Sequence, residues 1–272
     1  MSRQRAHSLS DKAVDYFDSH ADDYERNQYR TSRRTFVNGR HDRLVAIIER
    51  LPAAQGASVL DVGCGPGKLT QEFSSRGYRV FAVDTSLRML RMARSSITGA
   101  SSAGAHFQMG SIEALPFADG SFDVVCSAGV IEYFSTCERA IRELRRVLKP
   151  GGLLILPTTN LLAPAHWIRP LIVRVGRLPA VARRFGLQPV TVRLWFHVIP
   201  RFKERLRSAG LVVEQERYFY LTLPRPLDRF FPTVARKLEA FFDRYMNTSI
   251  RHLAEGYIAI ARKPAERSVG ID

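Results

Sequence analysis

Cysteine is scarce in this sequence, and the short motifs of several common chemistries are missing. The chain has 272 residues and three cysteines, Cys64, Cys126 and Cys137, with no CxxC pair. This pattern excludes a disulfide framework and a cysteine-based zinc site. HExxH, GxSxG and GxxxxGK[ST] are absent too, which argues against a metalloprotease, an α/β-hydrolase and a P-loop nucleotidase. We therefore expect reduced cysteines, no metal and a cytoplasmic protein.

Long apolar stretches are also absent. No uninterrupted apolar run approaches the ~18–20 residues that span a bilayer, and the basic start of the chain is not followed by the apolar core of a secretory signal. Hydrophobic residues make up 45% of the chain, which is ordinary for a globular protein. We predict a single domain over residues 1–272 that does not cross a membrane.

Acidic residues are missing from one long stretch. Between Leu144 and Lys203 there is no Asp or Glu, and the formal net charge of the whole chain is +15. A surface with such a charge excess attracts anionic partners. An anionic membrane surface and an RNA are the two candidates, and the sequence contains no recognisable RNA-binding module.

The most informative positive feature is the segment VLDVGCGPGKLT at residues 59–70. An apolar run ends in Asp61 and is followed by Gly63, Gly65 and Gly67. A strand that leads into a glycine-rich turn and then a helix lets the backbone approach a bound ligand closely. The spacing is GxGxG, whereas the nicotinamide fingerprint is GxGxxG, so the pattern points away from a dehydrogenase.

A second acid follows at the distance expected for a ribose contact. Residues 78–84 form another apolar run that ends in Asp84, 23 positions after Asp61. A carboxylate there accepts hydrogen bonds from vicinal hydroxyls. Further apolar runs at residues 122–127 and 153–156 alternate with helical patterns. The sequence therefore predicts a Rossmann-like, doubly wound α/β fold with a mostly parallel sheet.

These motifs resemble those of the class I S-adenosylmethionine-dependent methyltransferases, in particular the small-molecule subgroup of the ubiquinone/menaquinone and malonyl-carrier-protein types. The similar segments are VLDVGCGPGKLT, VDTSLRML, EALPFADGSFDVV, IRELRRVLKPGG and, near the end of the chain, GYIAIARK. The resemblance is dense over about residues 57–160. It implies a seven-stranded sheet, S-adenosylmethionine as the cofactor and an N-terminal helical lid.

The resemblance also implies a set of cofactor-binding residues. The glycines would shape the turn around the methionine moiety, Asp61 would receive its ammonium and Asp84 would hold the ribose. The other expected cofactor contacts are Tyr24 from the lid, Thr85, Met89, Ser111, Ile112 and Ala128. Ser111 departs from the family pattern, which usually has an aspartate that accepts from the adenine amino group.

The predicted organisation has four parts. They are a helical lid at residues 1–52, a cofactor-binding core at 53–160, a basic amphipathic insertion at 161–205, and the last strands at 206–263 with a helical insert at about 224–250. In the insertion, Arg169, Arg174 and Arg177 lie beside an apolar helical face. Three interpretations stay open for it: packing on the core, covering an apolar substrate, and contact with a membrane interface.

The predicted function is methyl transfer to a small or amphipathic acceptor, with oxygen as the favoured atom. A quinone or isoprenoid precursor, a lipid and a secondary metabolite all fit. Acceptors of high pKa need a general base, and the candidates are His197, His166, Glu132 and Tyr133. The alternative function is RNA methylation through the basic C-terminal half.

Overall fold

The computed structural model describes residues 9–29, 35–51, 56–97, 104–167, 194–221, 231–245 and 248–265. The helices are α1 (Leu9–Gln28), α2 (Phe36–Ile48), α3 (Lys68–Ser75), α4 (Leu87–Ser96), α5 (Glu138–Val147), α6 (Ile199–Ser208) and α7 (Pro232–Tyr245). The strands are β1 (Ser58–Val62), β2 (Arg79–Asp84), β3 (Ala105–Met109), β4 (Phe122–Cys126), β5 (Leu148–Thr159), β6 (Val212–Phe219) and β7 (Gly256–Arg262). Two 3-10 helices, η1 (Ile131–Tyr133) and η2 (Ser249–Leu253), complete the described part.

All strands belong to one seven-stranded sheet with the order β3-β2-β1-β4-β5-β7-β6. The first five strands in that order are parallel, and β7 runs antiparallel to both β5 and β6. The strand order reverses between β1 and β4, and ligands of doubly wound sheets bind at such a switch point. The predicted Rossmann-like, mostly parallel seven-stranded sheet is thus confirmed.

The sheet is covered on both faces. Along β1, Val59 packs into one hydrophobic cluster with Phe73 of α3, whereas Leu60 packs into another with Ile141 of α5. Successive side chains of a strand point to opposite faces. Burial on both faces explains why this strand reads as a continuous apolar run rather than as an alternating one.

Helix α1 lies over the carboxyl ends of the strands, as the resemblance implied for the N-terminal helices. The helix is kinked at His20, where φ is −121° and ψ is 20°. Asp18 accepts a hydrogen bond from Ser86, which caps α4, and Asp22 forms an ion pair with Arg88. These contacts hold α1 against the first turn of α4.

The predicted insertions lie partly outside the described residues. Arg169, Arg174 and Arg177 fall in the undescribed range 168–193, so the basic amphipathic segment stays a prediction. The expected insert at about 224–250 corresponds in its described part to α7 and η2. Among the residues that the structure describes, no helix has the length and apolar character needed to cross a bilayer.

Candidate cofactor and acceptor site

A cavity of about 250 Å³ lies at the switch point, beneath α1. Its walls come from α1, from the loops after β1, β2, β3 and β4, and from η1. The lining residues are Val14, Phe17, Tyr24, Tyr29, Asp61, Val62, Gly63, Cys64, Gly65, Pro66, Lys68, Leu69, Asp84, Thr85, Met89, Gly110, Ser111, Ile112, Ala128, Gly129, Val130, Tyr133 and Phe134. All of the predicted cofactor residues except Gly67 line this cavity, and their individual roles stay predictions.

The glycine-rich turn is shaped by two close approaches. Gly63 has a φ of +69°, and a Cβ on it would lie 2.1 Å from a methyl group of Val130. Gly67, which begins α3 in the left-handed conformation, would place a Cβ 2.8 Å from the Cβ of Ala93. Only glycine tolerates both the positive φ and the contact. Gly67 therefore acts on the cavity through the placement of α3.

The Asp84 carboxylate is fixed at the end of β2 by backbone donors. Its Oδ2 atom accepts from the amide of Gly65 at 2.9 Å, and its Oδ1 atom accepts from the amide of Ser86 at 2.9 Å. Burial raises the pKa of Asp84, while these hydrogen bonds oppose the shift. Each carboxylate oxygen keeps acceptor capacity after one backbone bond. The geometry suits a pair of vicinal hydroxyls.

Asp61 is almost fully buried at the base of the cavity. Its Oδ2 atom accepts from the hydroxyl of Thr70 at 2.6 Å. Burial raises the pKa of Asp61 to about 6, and the Thr70 hydrogen bond opposes that shift. A cationic group placed beside this carboxylate would favour its ionised form.

Arg40 of α2 is a buried cation that sequence reasoning missed. Its guanidinium group hydrogen-bonds to Tyr24 and Tyr29 and packs on Gly129, where a Cβ would lie 2.5 Å from Nη1. Within the described residues, no carboxylate lies within the 4.0 Å of an ion pair with Arg40. A guanidinium group has five N–H donors, so Arg40 can bond to the two tyrosines and still donate to another acceptor. The arrangement is therefore ready for an anion on the cavity side of the two tyrosines.

Glu132 is the nearest acid to this cluster, and it is also buried. Its Oε1 atom accepts from the Thr159 hydroxyl at 3.4 Å, while its Oε2 atom has no hydrogen-bond partner among the described residues. Burial raises the pKa of Glu132, and the charge of Arg40 opposes the shift. Glu132 does not line the cavity, so it contributes charge balance behind the wall.

The adenine side of the cavity is built from the ends of β2 and β3. Thr85, Met89, Ser111 and Ile112 line it, and the hydroxyl of Ser111 accepts from the Glu113 amide at 3.3 Å. The Ser111 oxygen, which already accepts from a backbone amide, can offer only an uncharged acceptor to an amino group of a ligand. An aspartate at this position would provide a charge-assisted bond.

The candidate general bases differ in position. Tyr133 lines the cavity, and burial raises its pKa well above the usual value, so the phenol stays neutral. The structure does not bring His197 or His166 to the cavity. The His197 ring lies against Phe202, and burial together with the nearby Arg205 lowers its pKa to about 4. The ring of His166 packs on Phe196.

Comparison with known proteins relates one part of the chain to a family of domains. Residues 60–156 match the sequence model described as "Methyltransferase domain". This part of the chain is therefore similar to methyltransferase domains. The matched range runs from β1 to β5 and contains the glycine-rich turn, Asp84 and the adenine side of the cavity.

Two curated relatives illustrate what the domain resembles. A malonyl-[acyl-carrier protein] O-methyltransferase of Enterobacter lignolyticus is 39% identical over 113 residues, which cover 42% of this chain and 43% of that protein. A demethylmenaquinone methyltransferase of Thermobifida fusca is 36% identical over 150 residues, which cover 53% of this chain and 61% of that protein. The chain thus spans about two fifths to three fifths of the length of these relatives.

Solved structures extend the similarity to the whole fold. Magnesium protoporphyrin IX methyltransferase from Synechocystis PCC 6803, solved with bound SAH, superposes with a TM-score of 0.64 at 18% identity, covering 94% of this chain and 100% of that one. At that identity the match shows the fold. The crowded glycine turn, the Asp84 carboxylate held by two backbone amides and the buried Arg40 have the chemistry to hold a molecule with a ribose and an amino-acid end.

The raised pKa of Asp61 leads to a testable pH dependence. If the Asp61 carboxylate meets the ammonium of the donor, affinity depends on its ionised form. We expect S-adenosylmethionine affinity to rise roughly tenfold per pH unit below about pH 6 and to level off above it. The α-amino group of the donor stays charged in this range. Calorimetric titrations between about pH 5 and 7 measure the effect.

The control is Asp61→Asn, which should bind weakly with a flat pH profile. A wild-type profile as flat as that of the variant would remove Asp61 from the ammonium contact. The raised pKa of Asp61 affects the stability of the ligand-free protein in the opposite direction. Because the folded pKa is raised, the protonated form stabilises the ligand-free protein below about pH 4, and this contribution is lost as the pH rises through about 6.

Proposed function

We propose that this chain transfers the methyl group of S-adenosylmethionine to a small amphipathic acceptor whose reacting atom is already ionised at neutral pH. The part of the proposal that concerns the acceptor rests on the residues that line the cavity. At the acceptor side, next to η1, the walls are Val14, Phe17, Tyr133 and Phe134. This surface is apolar and aromatic, which suits an amphipathic molecule.

No residue of the described lining is suited to be a general base for such an acceptor. Asp61 and Asp84 lie on the donor side, and burial raises the pKa values of Cys64, Tyr29 and Tyr133 so that these groups hold their protons. An acceptor that ionises in water needs no base, since the sulfonium already activates the methyl group and alignment supplies the rest.

The chain's own residues would divide the work as follows. Arg40, with Tyr24 and Tyr29, would hold the donor carboxylate, and Asp61 would hold the ammonium. Asp84 would fix the ribose. Phe17 of α1 contacts Tyr133 edge-to-face, with ring centroids 5.5 Å apart, and this pair would exclude water from the acceptor side. When bound, S-adenosylmethionine supplies the electrophilic methyl group.

The named relatives support this class of acceptor. One relative is named for O-methylation of a malonyl group, which presents a carboxylate, and another for methylation of demethylmenaquinone. The RNA alternative finds no support in these relatives.

The test compares acceptors matched in size and apolar tail. Purified protein with radiolabelled S-adenosylmethionine is offered a carboxylic acid, an acidic phenol and an aliphatic alcohol of equal chain length. We expect transfer to the first two and none to the alcohol. The rate should follow the ionisation of the acceptor and stay constant above its pKa. Transfer to the alcohol with a rate that depends on an enzyme group near pH 7 would contradict the proposal.

A further inference from the structure

Eight of the eleven large apolar side chains that are exposed among the described residues lie between β5 and α6 or between β6 and β7. We call them the apolar rim. Leu162 and Trp167 follow β5, Leu194 begins the next described segment, Leu253 precedes β7, and Phe231, Val234, Phe241 and Tyr245 belong to α7 or its start. Their exposed fractions lie between 40% and 67%, apart from 38% for Tyr245. Contiguous exposed apolar surface of this kind marks an interaction site.

Hydrogen bonds place this rim beside the cavity. The amide of Trp195 donates to the carbonyl of Glu132 in η1 at 2.6 Å, next to Tyr133 and Phe134 of the cavity wall. The side chain of Asn160, at the end of β5, donates to the carbonyls of His252 and Ala254 at 3.0 Å. The segment that carries Leu194 and the helix that carries Leu253 therefore both lie at the sheet end where the cavity is.

Helix α7 presents one face to the core and another to solvent. Ala235 is buried and Phe242 packs against the main hydrophobic cluster. With 100° of rotation per residue, Val234, Phe241 and Tyr245 share an adjacent face, and all three are exposed.

Two exposed cations of α7 border this apolar face. Lys237 and Arg244 lie about 60–80° from its centre, on the side away from the buried Ala235.

The charge around the rim selects the occupant. Lys237 and Arg244 are exposed beside the apolar face of α7, and the whole chain carries a formal net charge of +15. Two copies of the chain meeting at the rim would bring like charges together, which costs binding energy. A band of aromatic and aliphatic side chains bordered by Lys and Arg is instead the composition of an interfacial lipid contact.

We propose that the apolar rim docks the chain on the surface of an anionic lipid bilayer, with α7 lying in the headgroup region. This orientation turns the cavity end of the sheet towards the membrane. An amphipathic acceptor could then reach the aromatic side of the cavity without crossing open water. The docking is independent of which acceptor is methylated and goes beyond the proposed activity.

The experiment is cosedimentation of the full chain with vesicles of phosphatidylcholine alone and of phosphatidylcholine mixed with phosphatidylglycerol. We expect binding to the mixed vesicles that weakens with salt and little binding to the neutral ones. The double variants Val234→Gln/Phe241→Gln and Lys237→Glu/Arg244→Glu should each lower the partition coefficient at least tenfold. Since these side chains are exposed, the variants should fold and bind S-adenosylmethionine as the wild type does.

Matched controls come from the opposite end and edge of the sheet. Val212 is 54% exposed and pairs with Arg262, at the end of β7 remote from Gly256. Val212→Gln and, on α4, Arg94→Glu should leave vesicle binding unchanged. Three results would overturn the proposal: no binding of the wild type to anionic vesicles, binding that the α7 variants do not alter, or a dimer that Phe241→Gln dissociates while vesicles are not bound. Donor titration of the same samples reports separately on the methyltransferase proposal.

Discussion

Replacing Arg40 with methionine is expected to weaken S-adenosylmethionine binding by about 100-fold or more. The guanidinium group is buried against Gly129 and hydrogen-bonded to Tyr24 and Tyr29, with no carboxylate in ion-pair contact in the described residues. The variant would lose a charge-assisted hydrogen bond to the donor carboxylate. That carboxylate would then be buried without a hydrogen-bond donor. Calorimetric titration with S-adenosylmethionine measures the change.

The structural alternative makes a different prediction for the same variant. If Arg40 only supported the fold, Arg40→Met would lower the melting temperature of the ligand-free protein. Some loss of stability is expected under either role, because the buried Glu132 loses a nearby positive charge. The affinity of the folded variant for S-adenosylmethionine is therefore the deciding measurement. Arg40→Lys keeps the charge and should retain part of the affinity.

A matched ligand completes the Arg40 test. Decarboxylated S-adenosylmethionine lacks the group that Arg40 is expected to bind. The wild type should bind it far more weakly than the complete donor, whereas Arg40→Met should discriminate little between the two. This is a double-mutant cycle with the ligand as one partner. Equal discrimination by both proteins would show that the carboxylate is bound elsewhere.

The second large effect is expected at Asp84. Asp84→Ala should also weaken donor binding by about 100-fold, because two hydroxyls of the ribose lose a charged acceptor. The loss includes preorganisation, since the amides of Gly65 and Ser86 that hold the carboxylate would lose their partner. Equilibrium titration of the variant against the wild type gives the ratio.

Two further variants sharpen the Asp84 prediction. Asp84→Asn should bind nearly as poorly as alanine, because its amide group would turn a donor towards one of the two backbone N–H groups. Asp123→Asn is the matched control. Asp123 is bonded to Ser58 and Lys149 at the start of β4, away from the cavity, so this variant should lose stability without losing affinity. An affinity of Asp84→Ala equal to that of the wild type would rule out the ribose contact.

The sequence alone predicted those strands that are buried on both faces of the sheet, because such strands are continuous apolar runs. Strands β1, β2 and β4 are apolar runs in the sequence. Strand β3 gave no such signal. It lies at the edge of the sheet, and the exposed His106, Gln108 and Met109 break its pattern. Pairing with β2 decides that segment, and such pairing is not a local property.

The candidate cofactor residues could be named from the sequence because they belong to motifs. Gly63, Asp61 and Asp84 occur in short segments with a fixed spacing, so the motif itself carries the geometry. Arg40 has no motif around it and is one of 35 arginines in the chain. Only the fold shows that α2 places it against Gly129, which is 89 positions later in the sequence. His197 illustrates the converse, since an aromatic neighbourhood in sequence proved to be packing around Phe202.

The contacts of α1 also bear on the speed of a catalytic cycle. Asp18, Asp22 and Glu25 tie the helix to Ser86, Arg88 and Lys68 on α4 and α3. A molecule that leaves the cavity past α1 requires these links to open, and the links are the same for the methyl donor and for its demethylated product. Residence time and turnover are therefore coupled. Tighter packing of α1 would protect the bound donor, and it would slow the release of the demethylated product to the same extent.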